Sequence, residues 1–180
     1  MFNQTNFLKK YLMMGLLMTL FSACTTTSQP YIATVPKVEL PKFMGDWYVI
    51  AAIPTFIEKE SFNAIENYAL DADGTIKTTF TFNKGSLNGP KKTYEPRGFV
   101  VENSGNALWG MQFIWPIKAE YKIAYLNADY TQTVIARNAR DYVWIMARSP
   151  KIDETDYQHL VMFVKNLGYD ISMLRKVPHN

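Results

Sequence analysis

Few side chains in this sequence could carry covalent or proton-transfer chemistry. Its 180 residues contain one cysteine, Cys24, and two histidines, His159 and His179. A lone cysteine can close neither an intramolecular disulfide nor a zinc site built on cysteine pairs. His159 falls in a segment of helical spacing and His179 near the end of the sequence, neither beside a nucleophile. The spacings G-x-S-x-G, H-E-x-x-H, G-x-x-x-x-G-K-[ST] and C-x-x-C are all absent, which removes the common routes to nucleophilic, metal-assisted and phosphate-loop catalysis. Glu58 and Glu60, two apart in a segment between strands, read as solvated carboxylates rather than as an acid–base pair. No enzyme, cofactor or metal centre is therefore expected.

Composition narrows the remaining classes. Nineteen Lys and Arg against sixteen Asp and Glu, a formal charge of +3, give no concentrated basic face of the kind nucleic-acid binders carry, so no nucleic-acid partner is expected. A hydrophobic fraction of 48% is too high for a disordered chain, and the length suits one domain. Lys9 and Lys10 precede an apolar run from Tyr11 to Phe21 broken only by Gly15 and Thr19, and Ser22-Ala23-Cys24 follows. A basic start, a short apolar stretch and small residues make an export signal. The run is about half of the roughly 20 residues a membrane span needs.

The Ser22-Ala23-Cys24 end resembles the lipobox of bacterial lipoproteins, with Phe21 where that family usually has Leu. The resemblance implies cleavage before Cys24 and acylation of Cys24, palmitate included; Thr25, in place of the aspartate that retains such proteins on the inner membrane, implies the outer one. Removal of residues 1–23 would leave a nearly neutral body of 157 residues. Its first part, Thr-rich and Pro-bounded over 25–36, has the composition of a tether.

Downstream, β-branched and aromatic residues gather in short runs separated by Gly, Asn and Asp turns. The pattern predicts eight strands, over 46–53, 62–70, 75–82, 92–102, 108–115, 121–127, 131–136 and 142–147. No connection is long enough for a crossover helix, so successive strands run antiparallel. After Pro150, Tyr157, Leu160, Val161, Val164 and Leu167 fall at helical spacing; Asp153, Glu154 and Asp156 are placed to cap the start and Gly168 to end it. The expected fold is all-β, an eight-stranded up-and-down antiparallel barrel with a C-terminal α-helix, because closure removes unpaired edges.

Gly45-Asp46-Trp47-Tyr48, Asn127-Ala128-Asp129-Tyr130 and Trp144-Ile145-Met146-Ala147-Arg148-Ser149, in that order and at the ends of the right strands, resemble the three signature regions of the lipocalins. The resemblance runs from Pro41 to about Val177 and, with the lipobox, is nearest to bacterial outer-membrane lipoprotein lipocalins. It divides the chain into a signal peptide (1–23), a lipidated Cys24 with its tether (24–40) and a lipocalin domain (41–180). Gly45, Trp47 and Arg148 then read as structural, the Arg148 guanidinium stacking on Trp47 at the barrel floor. Strand alternation nominates Ala51, Tyr142, Trp144 and Met146, with Phe113, Trp115, Tyr121 and Ile123, as ligand-lining, and Arg97 as a candidate to meet a head group at the mouth. The loop 54–62 reads as a lid or as a segment folded over its own strands, and the apolar run 113–117 as a surface for a membrane or a second subunit. The resemblance implies a fatty acid or lysophospholipid as ligand, held by a protein anchored through Cys24 in the outer membrane and facing the periplasm, with a homodimer compatible. An envelope scaffold whose barrel is packed solid is the alternative, and a haem or pigment carrier a third.

Overall fold

Runs of alternating apolar residues between tight turns place β1 (Gly45–Ile53), β2 (Ser61–Leu70), β3 (Ile76–Lys84), β4 (Lys91–Tyr94), β5 (Arg97–Val100), β6 (Leu108–Ile114), β7 (Ile117–Leu126), β8 (Gln132–Ala136) and β9 (Val143–Ala147) antiparallel in sequence order. The computed structural model describes residues 29–180, so the expected leader, Cys24 and the start of the tether lie outside the described residues. Residues Tyr31–Asn180 form one unit with its own core. β9 pairs back onto β1, from Tyr48 opposite Ala147 to Ile53 opposite Val143, and closes the sheet into a barrel. The expected fourth strand is divided at Glu95-Pro96 into β4 and β5, since a proline has no amide hydrogen for the ladder. The Thr78 amide bridges the break by donating to the Pro96 carbonyl at 3.2 Å. Counted as one, β4 and β5 give eight strands.

One end of the barrel is closed. A short helix, α1 (Leu40–Phe43), crosses it just before β1 and inserts the fully buried Phe43. The β1–β2, β3–β4, β6–β7 and β8–β9 connections ring the other, open end. On the outer wall, α2 (Glu154–Asn166) lays Tyr157, Leu160 and Val164 on residues of β1, β8 and β9. Asp153 is the residue before its first turn but makes no side-chain capping bond; Asp156 instead accepts from Gln132 and Glu154 from Gln158 and Lys176, which keeps their negative charge at the helix start. A short strand, β10 (Arg175–Lys176), pairs with β1 at Ala51 and Ala52, beyond the stretch where β1 pairs with β2.

Two expectations are corrected here. Ala51 does not face the interior: a bulge between Val49 and Ala51 inverts the alternation, and Ala51 packs in the outer core beneath α2 while Ala52 points in. The tether also ends earlier than expected. From Tyr31 the chain lies on the barrel wall as a strap, with the Ile32 amide donating to Asn138 Oδ1 (2.9 Å) at the open end. The Val35 amide donates to the Ile123 carbonyl (2.9 Å) and the Val38 amide to the Gly105 carbonyl (2.8 Å) at the closed end. Ile32 and Val38 are buried, and the fully buried Lys122 ammonium donates to the Ile32 carbonyl at 2.7 Å.

Gly105 is where the strap meets the barrel most tightly. Its φ is +62°, and a Cβ there would stand 2.0 Å from the Pro36 carbonyl oxygen. Gly74, in the β2–β3 turn, has a similar φ of +80° but open space around it. Gly74→Ala is expected to cost about 1 kcal/mol for backbone conformation alone, and Gly105→Ala at least twice that because the strap must also shift. Urea unfolding of the two variants measures the difference, and equal losses would mean that the strap adds no constraint.

Candidate functional site

The floor of the barrel is solid. Trp47 is fully buried, its indole N–H donates to the Phe43 carbonyl at 2.8 Å, and the Arg148 guanidinium lies 3.9 Å from the centre of its ring. Arg148 donates to the carbonyls of Asp46 (2.6 Å), Lys42 (2.9 Å), Phe43 (3.0 Å) and Met44 (2.8 Å), and more weakly to that of Tyr130 (3.3 Å). It thus satisfies the carbonyls that the chain turning from α1 into β1 leaves unpaired, a task that needs several donors in one fork. Above it, Phe43, Tyr68, Trp109 and Tyr121 make a layer of rings, with Trp109 and Tyr121 stacked at 5.2 Å.

On that layer sits a chain of buried polar groups. The Tyr68 hydroxyl donates to the Glu66 carboxyl and lies 2.6 Å from the Tyr121 hydroxyl. Burial raises the Glu66 carboxyl to about 7; the Tyr68 hydrogen bond opposes the shift and the neighbouring Glu58 charge adds to it. Burial also raises the Tyr68 and Tyr121 hydroxyls, so both remain protonated donors at neutral pH. Glu58 is not solvated as expected. Only 4% exposed, it folds inward from the β1–β2 loop and accepts from the Trp144 indole N–H at 2.9 Å, and its carboxyl is raised by burial, which outweighs that hydrogen bond. Among the described residues neither Glu58 nor Glu66 forms an ion pair.

Between Glu66 below and Glu58 above lies a cavity of about 110 Å³. Met111, Ala119, Tyr121 and Pro96 form its wall; Phe113, Trp144, Thr55 and Arg137 lie around its outlet. Arg137 Nε is 3.4 Å from Asp141 Oδ1, and its guanidinium is 5.3 Å from the centre of the Tyr142 ring. Small-molecule sites are usually about 300–1,000 Å³. A long ligand must therefore displace side chains, and Met111 and the Glu58–Trp144 pair are the ones positioned to give way.

The nominated residues divide accordingly. Tyr121, Ile123, Trp144 and Met146 face the interior, and Phe113 lines the cavity from a half-exposed place on the rim. Tyr142 stands at the rim beside Trp144, their rings 6.3 Å apart. Trp115 is outside the cavity and 82% exposed at the tip of the β6–β7 hairpin. Arg97 is nowhere near the mouth. It points outward in the closed half of the barrel, paired with Asp73 at 3.1 Å and Asp71 at 3.4 Å, because β5 continues the parity that puts Gly98 against the interior. Arg137 is the guanidinium at the outlet instead. Glu58, Glu66, Tyr68, Met111 and Arg137 escape the sequence reading; only Glu66 leaves a trace, since Ala64, Glu66 and Tyr68 share one face of β2.

A closed eight-stranded barrel, an aromatic floor tied by arginine and an apolar cavity at the open end are joined by one further observation. The family model described as a Lipocalin-like domain matches residues 38–179. The chain belongs to the lipocalin-like family. Temperature-induced lipocalin-1 of Arabidopsis thaliana is 29% identical to this lipocalin over 163 residues, 86% of each chain. The outer membrane lipoprotein Blc of Escherichia coli (strain K12) is 25% identical over 161 residues, 83% of this chain and 85% of that one. Among solved structures, insecticyanin of the tobacco hornworm Manduca sexta superposes with a TM-score of 0.66 at 16% identity, covering 84% of this lipocalin and 86% of insecticyanin. Lipocalins are binding and transport proteins for small hydrophobic ligands, and the cavity of this one is built to that pattern.

Proposed function

We propose that this lipocalin takes up single-chain amphiphiles, fatty acids or lysophospholipids, with the acyl chain in the barrel and the polar head at the outlet near Arg137. The observation that carries the reading is the cavity itself, apolar over most of its lining and with the Arg137 guanidinium among the residues around it. Transfer of apolar surface supplies the driving force at about 25 cal/mol per Å², and Arg137 supplies a charged donor for a carboxylate or phosphate. Anchored in an outer membrane through an acylated Cys24, a protein of this kind would store or carry lipids for envelope maintenance. The similarity to Blc outer membrane lipoproteins and the lipobox-like end of the leader support that setting.

The modest cavity favours a second reading, a barrel used as an envelope scaffold with no lipid inside. Titration of delipidated protein with a lysophospholipid and a fatty acid, followed by Trp fluorescence, separates the two. Saturable binding at micromolar or tighter dissociation constants, about −8 kcal/mol or better, is expected. Arg137→Ala should weaken it several-fold without altering the melting temperature. Absence of saturable binding, together with a lipid-free mass under native electrospray, would leave the scaffold.

A further inference from the structure

We propose that the open end of the barrel is a docking surface for an anionic lipid bilayer, so that the cavity outlet is pressed against the membrane. The β6–β7 hairpin exposes Ile114 (73%), Trp115 (82%) and Ile117 (69%) beside the half-exposed Phe113, and the β1–β2 loop exposes Phe56 (80%) at the same end. Large apolar side chains projecting from a hairpin tip in this number are not ordinary surface; an indole and branched aliphatics are what a headgroup boundary accommodates.

Charge selects the occupant. Lys59 in the β1–β2 connection, Lys84 at the end of β3 and Lys91 and Lys92 at the start of β4 lie exposed at the open end, and among the described residues none of them forms an ion pair. The acids of that end are largely occupied: Glu58 is buried, Glu120 accepts from Asn138, and Asp141 faces Arg137, leaving Glu60. The turns of the closed end carry Asp71, Asp73, Glu102 and Asp129. At the closed end Asp71 and Asp73 are paired with Arg97, whereas the lysines of the mouth stand unpaired around its exposed apolar residues. Basic residues around apolar insertions are drawn to anionic lipid within a Debye length of the surface.

The path of the strap agrees. The described body begins at the open end, where Asn138 holds Ile32. Six residues separate Cys24 from Tyr31, a span of at most about 25 Å. An acyl anchor at Cys24 would thus hold the mouth, rather than the floor, within reach of the bilayer. Docking by this end lets a ligand pass between bilayer and barrel without crossing water.

The test uses protein starting at residue 25, which carries no acyl anchor, and vesicles of phosphatidylethanolamine with or without phosphatidylglycerol. Co-sedimentation should be at least tenfold stronger with phosphatidylglycerol and fall as salt is raised. Ile114→Ser with Trp115→Ser should reduce it at least tenfold at an unchanged melting temperature, and Lys91→Glu with Lys92→Glu should abolish the preference for anionic vesicles. Equal binding to both vesicles, an unaffected hairpin variant, or a lipid-free dimer in sedimentation that the hairpin variant dissociates would overturn the proposal. Vesicle-free lysophospholipid binding should be untouched by these variants, which keeps this result separate from that of the ligand titration.

Discussion

Replacing Arg148 by alanine is expected to lower the unfolding free energy by about 3 kcal/mol or more, although the side chain is only partly buried and touches no ligand. Its loss strands the carbonyls of Asp46, Lys42 and Met44 together and leaves that of Phe43 with the Trp47 indole N–H alone. A buried acceptor left without a donor costs roughly 1–3 kcal/mol; water reaches some of these, which sets the low end for each. The contact with the Trp47 ring adds about 1 kcal/mol. Arg148→Lys should recover only part, since one ammonium cannot reach the span of carbonyls that a guanidinium fork does. Trp47→Ala should cost about 3–5 kcal/mol as a large side chain lost from a closed layer. Because the two residues share one contact, the double variant should lose less than the sum. Urea denaturation of the four variants and the parent gives these numbers, and a melting temperature of Arg148→Ala within a degree or two of the parent would refute the role assigned to the floor.

Glu66→Gln is expected to act in the opposite direction and only at higher pH. The carboxyl ionises near 4.5 when free and near 7 in the folded barrel, because burial penalises the charge. Below pH 4.5 it is protonated in both states and contributes no difference. Between 4.5 and 7 the unfolded chain releases the proton while the folded one keeps it, so stability falls as pH rises, and the full penalty is present above 7. At about 1.4 kcal/mol per pH unit, the penalty is about 3 kcal/mol. Glutamine cannot ionise, and its carbonyl can still accept from Tyr68. The variant should therefore be more stable than the parent by up to about 3 kcal/mol at pH 8 and nearly equal at pH 4.5. A stability difference that does not change between those pH values would show that Glu66 is not the group responsible. A carboxyl kept in so unfavourable a place is better explained by use in the cavity than by stability.

The sequence made the barrel legible through what repeats: turn residues at regular intervals, alternating apolar runs and three short motifs at strand ends. Trp47 and Arg148 could be paired because the motifs fix both strand and end. What stayed hidden depended on breaks in the repeat. The bulge at Val49–Ala51 carries no residue signature, and it alone moved Ala51 to the outer wall. Arg97 could be assigned to a strand but not to a face; the parity of β5 turns it outward, where two aspartates of the β2–β3 turn pair with it. Glu58 and Glu66 contradict the composition rule that charged residues lie outside, so only the folded arrangement reveals them as cavity groups. The strap looks like a tether in composition, and its burial rests on partners that lie about 70 to 106 residues away.

The seam between β1 and β9 also sets an order of events. These strands are separated by almost the whole barrel in sequence, and the Arg148 fork ties residues 102 to 106 positions apart. Until Val143–Ala147 is available, β1 presents an unpaired edge and the ring layer above Trp47 lacks its clamp. A chain emerging from its N-terminus can accumulate strands but cannot shut the barrel, and contacts this distant in sequence form slowly. An incomplete chain therefore carries an unpaired β1 edge, of the kind that can pair with another chain, until β9 covers it.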